Sequence, residues 1–323
     1  MTEFSFTERA PHEAGFAEVF HRDIVPYLRT MEVQRSAEVA GYMRWFRIAA
    51  AATAILAVLA AAYVHPAAMV FPLFVGGVAM LMIYISRGGR TGSEVAADLR
   101  PALCGFLTDM ESVTPVPQGF LDLDAFRALH VLPRTDETRT DTGVRGSWRG
   151  IDYRLARVHC YEWERDHDGD RKRRSYFSGI ALEIDCPVDM PRTVFLPDLG
   201  ATGNSLLKWA SRSSLPDQRW HLGDPKLEEI FEVYTDDVAL AERHMAPRFG
   251  HVLVELAERF QNQRPYCAAA FRGRRFFLAL RLPHGFLSFD GIGTASLCDI
   301  EEPLHRALAD LVIPRQVIDT LLD

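Results

Sequence analysis

The sequence predicts an α+β cytoplasmic domain joined to an α-helical two-span transmembrane hairpin. Residues 48–85 contain no Asp, Glu, Lys or Arg, and this run is too long for one span but suits two. After residue 93, strand-like alternation and helical periodicity follow in the order strands, helix, strands, helix. We therefore predict a helical lead-in over residues 1–47, the hairpin over 48–85 and the domain over 93–323.

The apolar run is expected to fold back at its single internal break, His65-Pro66. A continuous helix would rise about 57 Å, whereas the hydrocarbon core of a bilayer is about 30 Å thick. Proline lacks a backbone N–H and disfavours helix at the preceding residue, so the predicted spans are residues 48–64 and 67–85. A shallow hairpin that enters and leaves one leaflet remains an alternative, because the first span is short and rich in alanine.

The side chains that flank the spans predict the orientation of the hairpin. The connection between the spans carries only His65, whereas basic and aromatic residues lie outside them: Arg44, Trp45, Arg47, Arg87 and Arg90. Because basic residues favour the cytoplasmic side, both termini are expected in the cytoplasm, with the lipid bilayer as a partner. The N-terminus shows no basic segment followed by an apolar run, so no secretory signal is predicted.

Apolar spacing predicts the individual elements. An apolar stripe through Phe16, Phe20, Ile24, Leu28 and Met31 predicts a lead-in helix that ends or bends near Pro26, and a second helix is predicted over residues 93–109 with a bend at Pro101. Strands are predicted at 151–160 with a bulge near Leu155, and at 176–186, 193–196 and 227–235. The remaining predictions are a helix capped by Asp236 or Asp237 and divided at Pro247, a hairpin of 266–271 with 274–281, and a final helix from Leu304 to Leu321.

Composition limits the class of function. The net charge of -7 argues against a general nucleic-acid binder, which would carry a basic surface. The five cysteines are widely spaced and contain no Cys-x-x-Cys, so neither a disulfide framework nor a zinc site is indicated. We expect reduced and mostly buried thiols.

Four ordered motifs give the chain a family resemblance. They are Ile24 to Leu28 before the spans, Gly146 to Leu155 followed by Tyr176 to Ile180, Arg192 to Asp198, and Phe231 to Asp237 followed by Ala241 to Arg243 and Ala246 to Phe249. In this order the motifs resemble the bacterial membrane-anchored family catalogued as domain of unknown function 3137. The resemblance implies two spans in the bacterial inner membrane and a cytoplasmic α+β domain. It supplies no activity, no cofactor and no catalytic residue.

The sequence contains no motif that predicts catalysis or metal binding. Asp166 to Asp170 resembles the start of a calcium loop, but the glycine is fourth and the twelfth residue is Phe177, so a polar hairpin tip is predicted instead. Gly200 to Ser205 lacks the ending of a phosphate-binding loop and is interpreted as a plain loop before a helix cap. No nucleophile has a recognisable base partner, and no catalytic, cofactor or metal residue is predicted.

Four consecutive cations follow that tip: Arg171, Lys172, Arg173 and Arg174. They are candidates for contact with anionic lipid or an acidic partner, because basic residues are attracted to a negative membrane surface. The alternative is a solvated loop neutralised by nearby acids, namely Glu164, Asp166, Asp168 and Asp170.

The resulting functional hypothesis is a non-catalytic binding or assembly module at the cytoplasmic face of the inner membrane, with a protein partner or a second copy of itself. One alternative is a membrane-tethered enzyme whose site is scattered in sequence, and another is an anionic-lipid-binding domain. A deep cleft with convergent His, Asp or Arg side chains would favour the enzyme, and a flat apolar or charged patch would favour binding.

Overall fold

The computed structural model describes residues 4–63, 70, 73–77, 91–165, 169–197, 215–246, 248–259, 266–289 and 297–322. The chain divides into two compact units, one of Met1–Ala102 with Ser288–Arg306 and one of Leu103–Leu287 with Ala307–Asp323. They are called the N-terminal unit and the sheet unit.

The α-helices differ widely in length, and α2 is the longest of those described. They are α1 (Phe16–Val19), α2 (Val25–Tyr63), α3 (Thr91–Leu107), α4 (Leu123–Ala128), α5 (Pro225–Ile230), α6 (Val238–His244), α7 (Phe249–Glu258), α8 (Glu301–Leu311) and α9 (Ile313–Leu322). A π-helical turn, Phe20–Ile24, separates α1 from α2. The predicted irregularity near Pro26 therefore lies immediately before that residue, where the helix changes its winding.

The described strands form one seven-stranded antiparallel sheet. They are β1 (Met110–Val113), β2 (Glu137–Trp148), β3 (Ile151–Arg165), β4 (Arg171–Pro197), β5 (Gln218–Arg219), β6 (Phe231–Thr235) and β7 (Cys267–Arg281). The order is β1-β2-β3-β4-β6-β5, and β7 also pairs with β4. This mixture of antiparallel sheet and helices confirms the predicted α+β class.

Apolar side chains cover both faces of the sheet. On one face Phe126 of α4 packs at 5.0 Å between ring centres against Phe277, within a buried cluster. On the other face Phe249 of α7 packs against Phe195 and Phe271, with ring centres 5.8 and 5.2 Å apart. Burial on two sides explains why the central strands are nearly continuous apolar runs and do not alternate cleanly.

Three local predictions are wrong for related reasons. Leu155 and Ala156 are both fully buried because the sheet is covered on both faces, and the nearby register shift lies in β2, between Thr140 and Gly143. Residues 267–281 form one strand that bends at Gly273 and not a hairpin, because β4 stays paired along both halves. The predicted strand at 227–235 begins as α5, whose amides Lys226 N and Leu227 N are capped by Asp224.

In the N-terminal unit, the predicted apolar stripe is buried, and Phe16, Phe20, Ile24 and Leu28 are fully inaccessible to solvent. Phe6 packs edge-on against Phe16 at 4.9 Å between ring centres. The buried carboxylate of Glu13 accepts hydrogen bonds from the Arg9 and Ala10 amides and lies 2.7 Å from Nδ1 of His305. Burial raises the pKa of Glu13, but these hydrogen bonds outweigh it and leave the pKa below its ordinary value.

The described part of the predicted hairpin is helical. Residues 48–63 belong to α2, and residues 70 and 73–77 are also helical. A Cβ placed on Gly76 would lie 2.5 Å from the Thr53 side chain, so the two segments approach each other where only glycine fits. Among the described residues no helix combines the length and the apolar character needed to cross a membrane, so the two predicted spans are not supported. Residues 78–85 of the second span lie outside the described residues.

Candidate functional site

The four predicted cations lie in an antiparallel ribbon formed by the ends of β3 and β4. We call residues 161–165 with 171–175 the ribbon. Its cross-strand pairs are Tyr161 with Ser175, Glu162 with Arg174, Trp163 with Arg173, Glu164 with Lys172, and Arg165 with Arg171. The predicted polar tip therefore connects two strands, although residues 166–168 of the tip lie outside the described residues.

Strand alternation divides the cations between two faces of the ribbon. Directly paired residues share a face, and successive residues of a strand point to opposite faces. Lys172 and Arg174 consequently share one face with Glu162 and Glu164, and Nη1 of Arg174 is 3.0 Å from Oε1 of Glu164. This acidic-basic face carries two positive and two negative charges and is neutral.

The opposite face carries cations and aromatic rings: Tyr161, Trp163, Arg165, Arg171 and Arg173. We call it the cationic-aromatic face. The indole of Trp163 is 44% exposed, and the Arg173 guanidinium lies 4.0 Å from the centre of the Tyr161 ring. Glu137 of β2 pairs with Tyr161 in register and lies 3.9 Å from Arg173. The four consecutive cations are therefore divided between a neutral face, which carries Lys172 and Arg174, and a positive face, which carries Arg171 and Arg173.

A second candidate site is a charged cleft of about 550 Å³ in the sheet unit. It is lined by the turn that follows α3, the start of β1 and neighbouring positions of β2, β3 and β4: Thr108, Asp109, Met110, Glu111, Arg145, Gly146, Asp152, Tyr153, Arg154 and Asp185. Four acids and two arginines give this lining a negative balance. Such a surface is complementary to a basic partner.

Asp109 at the base of the cleft is engaged by Arg315 of α9. Arg315 donates from Nε at 3.0 Å and from Nη2 to the two carboxylate oxygens, and its guanidinium lies 4.5 Å from the centre of the Trp148 ring. The Tyr153 hydroxyl is 3.5 Å from Asp109. Burial, followed by the negative charge of Asp109, raises the pKa of Tyr153 well above its ordinary value, so the phenol stays protonated.

Other charged groups around the cleft are also paired. Glu111 and Arg145 form an exposed ion pair at 2.8 Å on the rim. Behind the rim, the fully buried carboxylate of Glu183 lies 3.5 Å from Arg154, is paired with Arg275 and accepts a hydrogen bond from the Asp122 amide at 3.1 Å. The arrangement favours recognition of a polar surface over acid-base chemistry, since Asp109 already has a strong cationic partner.

The structure places the other sequence-predicted residues as follows. Arg44 and Arg47 are exposed on α2, whereas the Trp45 side chain and residues 87 and 90 lie outside what the structure describes. Gly200 to Ser205 also lies outside the described residues. Asp237, and not Asp236, caps α6 by accepting from the Leu240 amide at 3.0 Å.

The described cysteines confirm the prediction of buried thiols. Cys104, Cys160, Cys186 and Cys267 are buried and form no disulfide with one another, and burial raises the pKa of Cys186 and of Cys267 to about 12. Within the described ranges, no group of three or more His, Cys, Asp and Glu side chains has an arrangement that could hold a metal ion.

Sequence reasoning missed the cleft because its parts are far apart in the chain. Arg315 and Asp109 are separated by 206 positions, and the short strand β1 gives too little alternation to be recognised. The positive-φ residue Thr108 at the turn into β1 leaves no unambiguous sequence signal. Only the ribbon could be found from local sequence, because its charges are adjacent.

Comparisons with known proteins give a match to one family model and to one solved structure, and they indicate no activity. A comparison with curated proteins gives no match. One solved structure, the crystal structure of the mycobacterial trehalose monomycolate transport factor A, TtfA, is similar over 70% of this chain and 94% of that chain, with 12% identity and a TM-score of 0.33. That score is too low to carry an inference. Residues 175–322 match the model of the family described as a protein of unknown function (DUF3137), which is the family that the sequence motifs resemble.

Proposed function

We propose that the chain is a membrane-anchored, non-catalytic binding module at the cytoplasmic face of the bacterial inner membrane. The helix pair, residues 48–63 with residues 70 and 73–77, inserts into the bilayer, and both termini remain cytoplasmic. The sheet unit then presents its charged surfaces to a protein partner or to a second copy of the chain.

The exposed apolar surface of the helix pair carries this proposal. Large apolar side chains of both segments are about half exposed or more: Ile48, Ile55, Leu56, Val58, Leu59, Val70, Leu73, Phe74 and Val75. Nothing in the described chain covers them, and leaving apolar area in water costs about 25 cal/mol per Å². A contiguous surface of this kind is typical of a membrane or protein contact.

Two further observations favour the bilayer as the medium around this surface. The described residues 48–63 and 73–77 carry no charge, and exposed Arg44 and Arg47 lie immediately before them. The close approach at Gly76 and Thr53 resembles the small-residue packing by which helices associate in lipid. A hairpin that spans the bilayer and one that enters a single leaflet both leave the termini on the same side.

Topology reporters test the anchor and its orientation. Fusions of a cytoplasm-active and a periplasm-active reporter at residues 20 and 323 of the full chain should both report the cytoplasm. A periplasmic signal at either position would contradict the orientation. Recovery of the unfused protein in the soluble fraction after cell lysis would contradict the anchor itself.

The cleft tests the binding part of the proposal. Its exposed acids Asp152 and Asp185 have the charge that a basic partner surface would contact. An Asp152→Arg, Asp185→Arg variant should lose partners that the unchanged chain recovers from native membranes by pull-down and mass spectrometry. The control is an Asp124→Arg, Asp217→Arg variant, which changes the net charge by the same amount at exposed positions outside the cleft lining. This variant should still recover the same partners. Equal recovery with both variants would exclude the cleft as the binding surface.

A second candidate function, a membrane-tethered enzyme, is favoured by the cleft volume and by the convergence of Asp109, Tyr153 and Arg315. Both carboxylate oxygens of Asp109 already accept hydrogen bonds from Arg315, which makes Asp109 less accessible to a substrate. Conversion of a small molecule by the purified full chain, lost in a Tyr153→Phe variant that remains folded, would establish the enzyme and overturn the binding module.

A further inference from the structure

We propose that the cationic-aromatic face of the ribbon contacts the anionic phospholipid headgroups of the membrane that anchors the chain. This inference rests on the proposed anchor, because the anchor brings the sheet unit to a bilayer. The inference assigns the lipid contact to one face of the ribbon. The residues assigned are Trp163, Arg165, Arg171 and Arg173, whereas Lys172 and Arg174 are excluded.

The distribution of charge between the two faces is the first step. On the acidic-basic face, Glu164 forms an ion pair with Arg174, and Glu162 lies directly opposite Arg174 in the strand register. The cationic-aromatic face brings Arg165 and Arg171 into direct register as like charges, a pair that repels and is relieved by a bound anion. Arginine also matches phosphate geometry with its planar, forked donors.

The acids near the cationic-aromatic face are already engaged in the structure. Glu137 is paired with Arg139 of β2 and lies 3.9 Å from Arg173. The carboxylate of Asp136 accepts a hydrogen bond from the Trp163 amide at 3.0 Å. The exposed pair of Glu137 with Arg139 carries no net charge. The face therefore keeps an excess of arginine over carboxylate, and the exposed acid Asp170 lies at the turn that precedes β4.

The aromatic residues favour a membrane over an acidic protein or a free anion. Trp163 exposes 44% of its surface and stands beside Arg173 in register. Tryptophan with flanking arginines is the composition enriched where a protein meets lipid headgroups, since the ring sits among them while the guanidinium binds phosphate. Tethering adds to this preference, because an anchored domain meets the bilayer at high effective concentration.

The experiment uses the full chain reconstituted into vesicles. Ser175, which is exposed and shares the cationic-aromatic face with Tyr161, is replaced by cysteine and labelled with an environment-sensitive fluorophore. Because the described native cysteines are buried, the unsubstituted chain after the same labelling gives the background. Vesicles of phosphatidylcholine alone are compared with mixtures of increasing phosphatidylglycerol content.

The label should shift to the blue in phosphatidylglycerol mixtures and not in phosphatidylcholine alone. An Arg171→Ser, Arg173→Ser variant should weaken the contact about 25-fold, which is about 5-fold for each arginine. The Lys172→Ser, Arg174→Ser variant removes the same charge from the same four positions and should retain most of the shift. Raising KCl from about 0.1 M to about 1 M should abolish the shift, because the Debye length falls from about 10 Å to about 3 Å.

Each remaining outcome overturns a different statement. Equal losses in the two double variants would show a general charge effect and reject the assignment to one face. A label that is insensitive to phosphatidylglycerol, while the protein still floats with the vesicles, would reject the lipid contact and leave the anchor intact. Failure to float with neutral vesicles would reject the anchor, and with it the basis of this inference.

Discussion

The helix pair and the sheet unit use the same apolar residue types in opposite ways. In the sheet unit Leu182, Phe195 and Leu278 are completely buried by their own chain. In the helix pair Val58 is 67% exposed and Phe74 is 69% exposed. The difference is that one region supplies its own apolar surroundings, whereas the other exposes apolar side chains that the proposed membrane anchor would cover. Stability should therefore depend on the first region and location on the second.

The largest expected effect is a loss of domain stability that depends on where a phenylalanine lies. Phe195→Ala removes a buried ring that packs against Phe231, Phe249 and Phe271, and should lower the free energy of unfolding by about 3–5 kcal/mol. Phe74→Ala should change it by less than about 0.5 kcal/mol, because that ring has no buried surroundings to lose. Denaturant unfolding of the detergent-solubilised chain measures the free energy of unfolding of both variants. Equal losses would contradict the difference between the sheet unit and the helix pair.

A smaller loss should follow from removing a cation beside a buried carboxylate in the sheet unit. Arg275→Ala leaves Glu183 buried without its closest partner, although the Asp122 amide and Arg154 remain. Because the Arg275 side chain is 36% exposed and water can replace it in part, we expect a destabilisation of about 2 kcal/mol. Arg272→Ala on the same strand is the control and should change little in the same unfolding measurement.

A helix cap gives an intermediate test within the sheet unit. Asp237→Ala removes the acceptor of the Leu240 amide at the start of α6 and should cost about 1 kcal/mol. The neighbouring Asp236 forms an exposed pair with Arg192 at 3.2 Å, so Asp236→Ala should cost less than about 0.5 kcal/mol. Thermal unfolding compares the two, and a larger effect at Asp236 would contradict the cap assignment.

The smallest effect concerns acid sensitivity in the N-terminal unit, outside the helix pair. The pKa of Glu13 lies below its ordinary value of 4.5 in the folded chain, so its stabilising contribution is present above pH 4.5 and is lost as the pH falls below it. His12, His305, Arg9 and Glu301 are the other charged or titratable groups around it. Glu13→Gln should flatten the decline in unfolding temperature on acidification. An unchanged decline would show that other groups cause it.

Local periodicity predicted much of the fold, and the exceptions have physical causes. The stripe from Phe16 to Leu28 follows from apolar spacing, which acts within a few residues, whereas Pro247, where a division of the helix was predicted, lies outside the described residues. The continuity of β7 through Gly273 depends on pairing with β4, which lies about 90 positions earlier in the chain. The sequence pattern alone shows a turn residue there and does not show the partner strand.

The two candidate sites differ in the same respect, because local sequence indicated the ribbon and did not indicate the cleft. The ribbon was found because its four cations are consecutive, but only the register of β3 with β4 separates Arg171 and Arg173 from Lys172 and Arg174. The cleft was missed because Asp109 meets a side chain that is 206 positions away. Long-range pairing, and not residue type, decides both outcomes.

The central claim is that the exposed apolar helix pair holds the chain in a membrane, and alkaline carbonate extraction of cell membranes tests it most directly. The unchanged chain should stay in the pellet, a Leu56→Arg, Phe74→Arg variant should move largely to the supernatant, and Leu322→Arg, which alters an exposed leucine of the sheet unit, should stay in the pellet. Release of the unchanged chain into the supernatant would contradict the account.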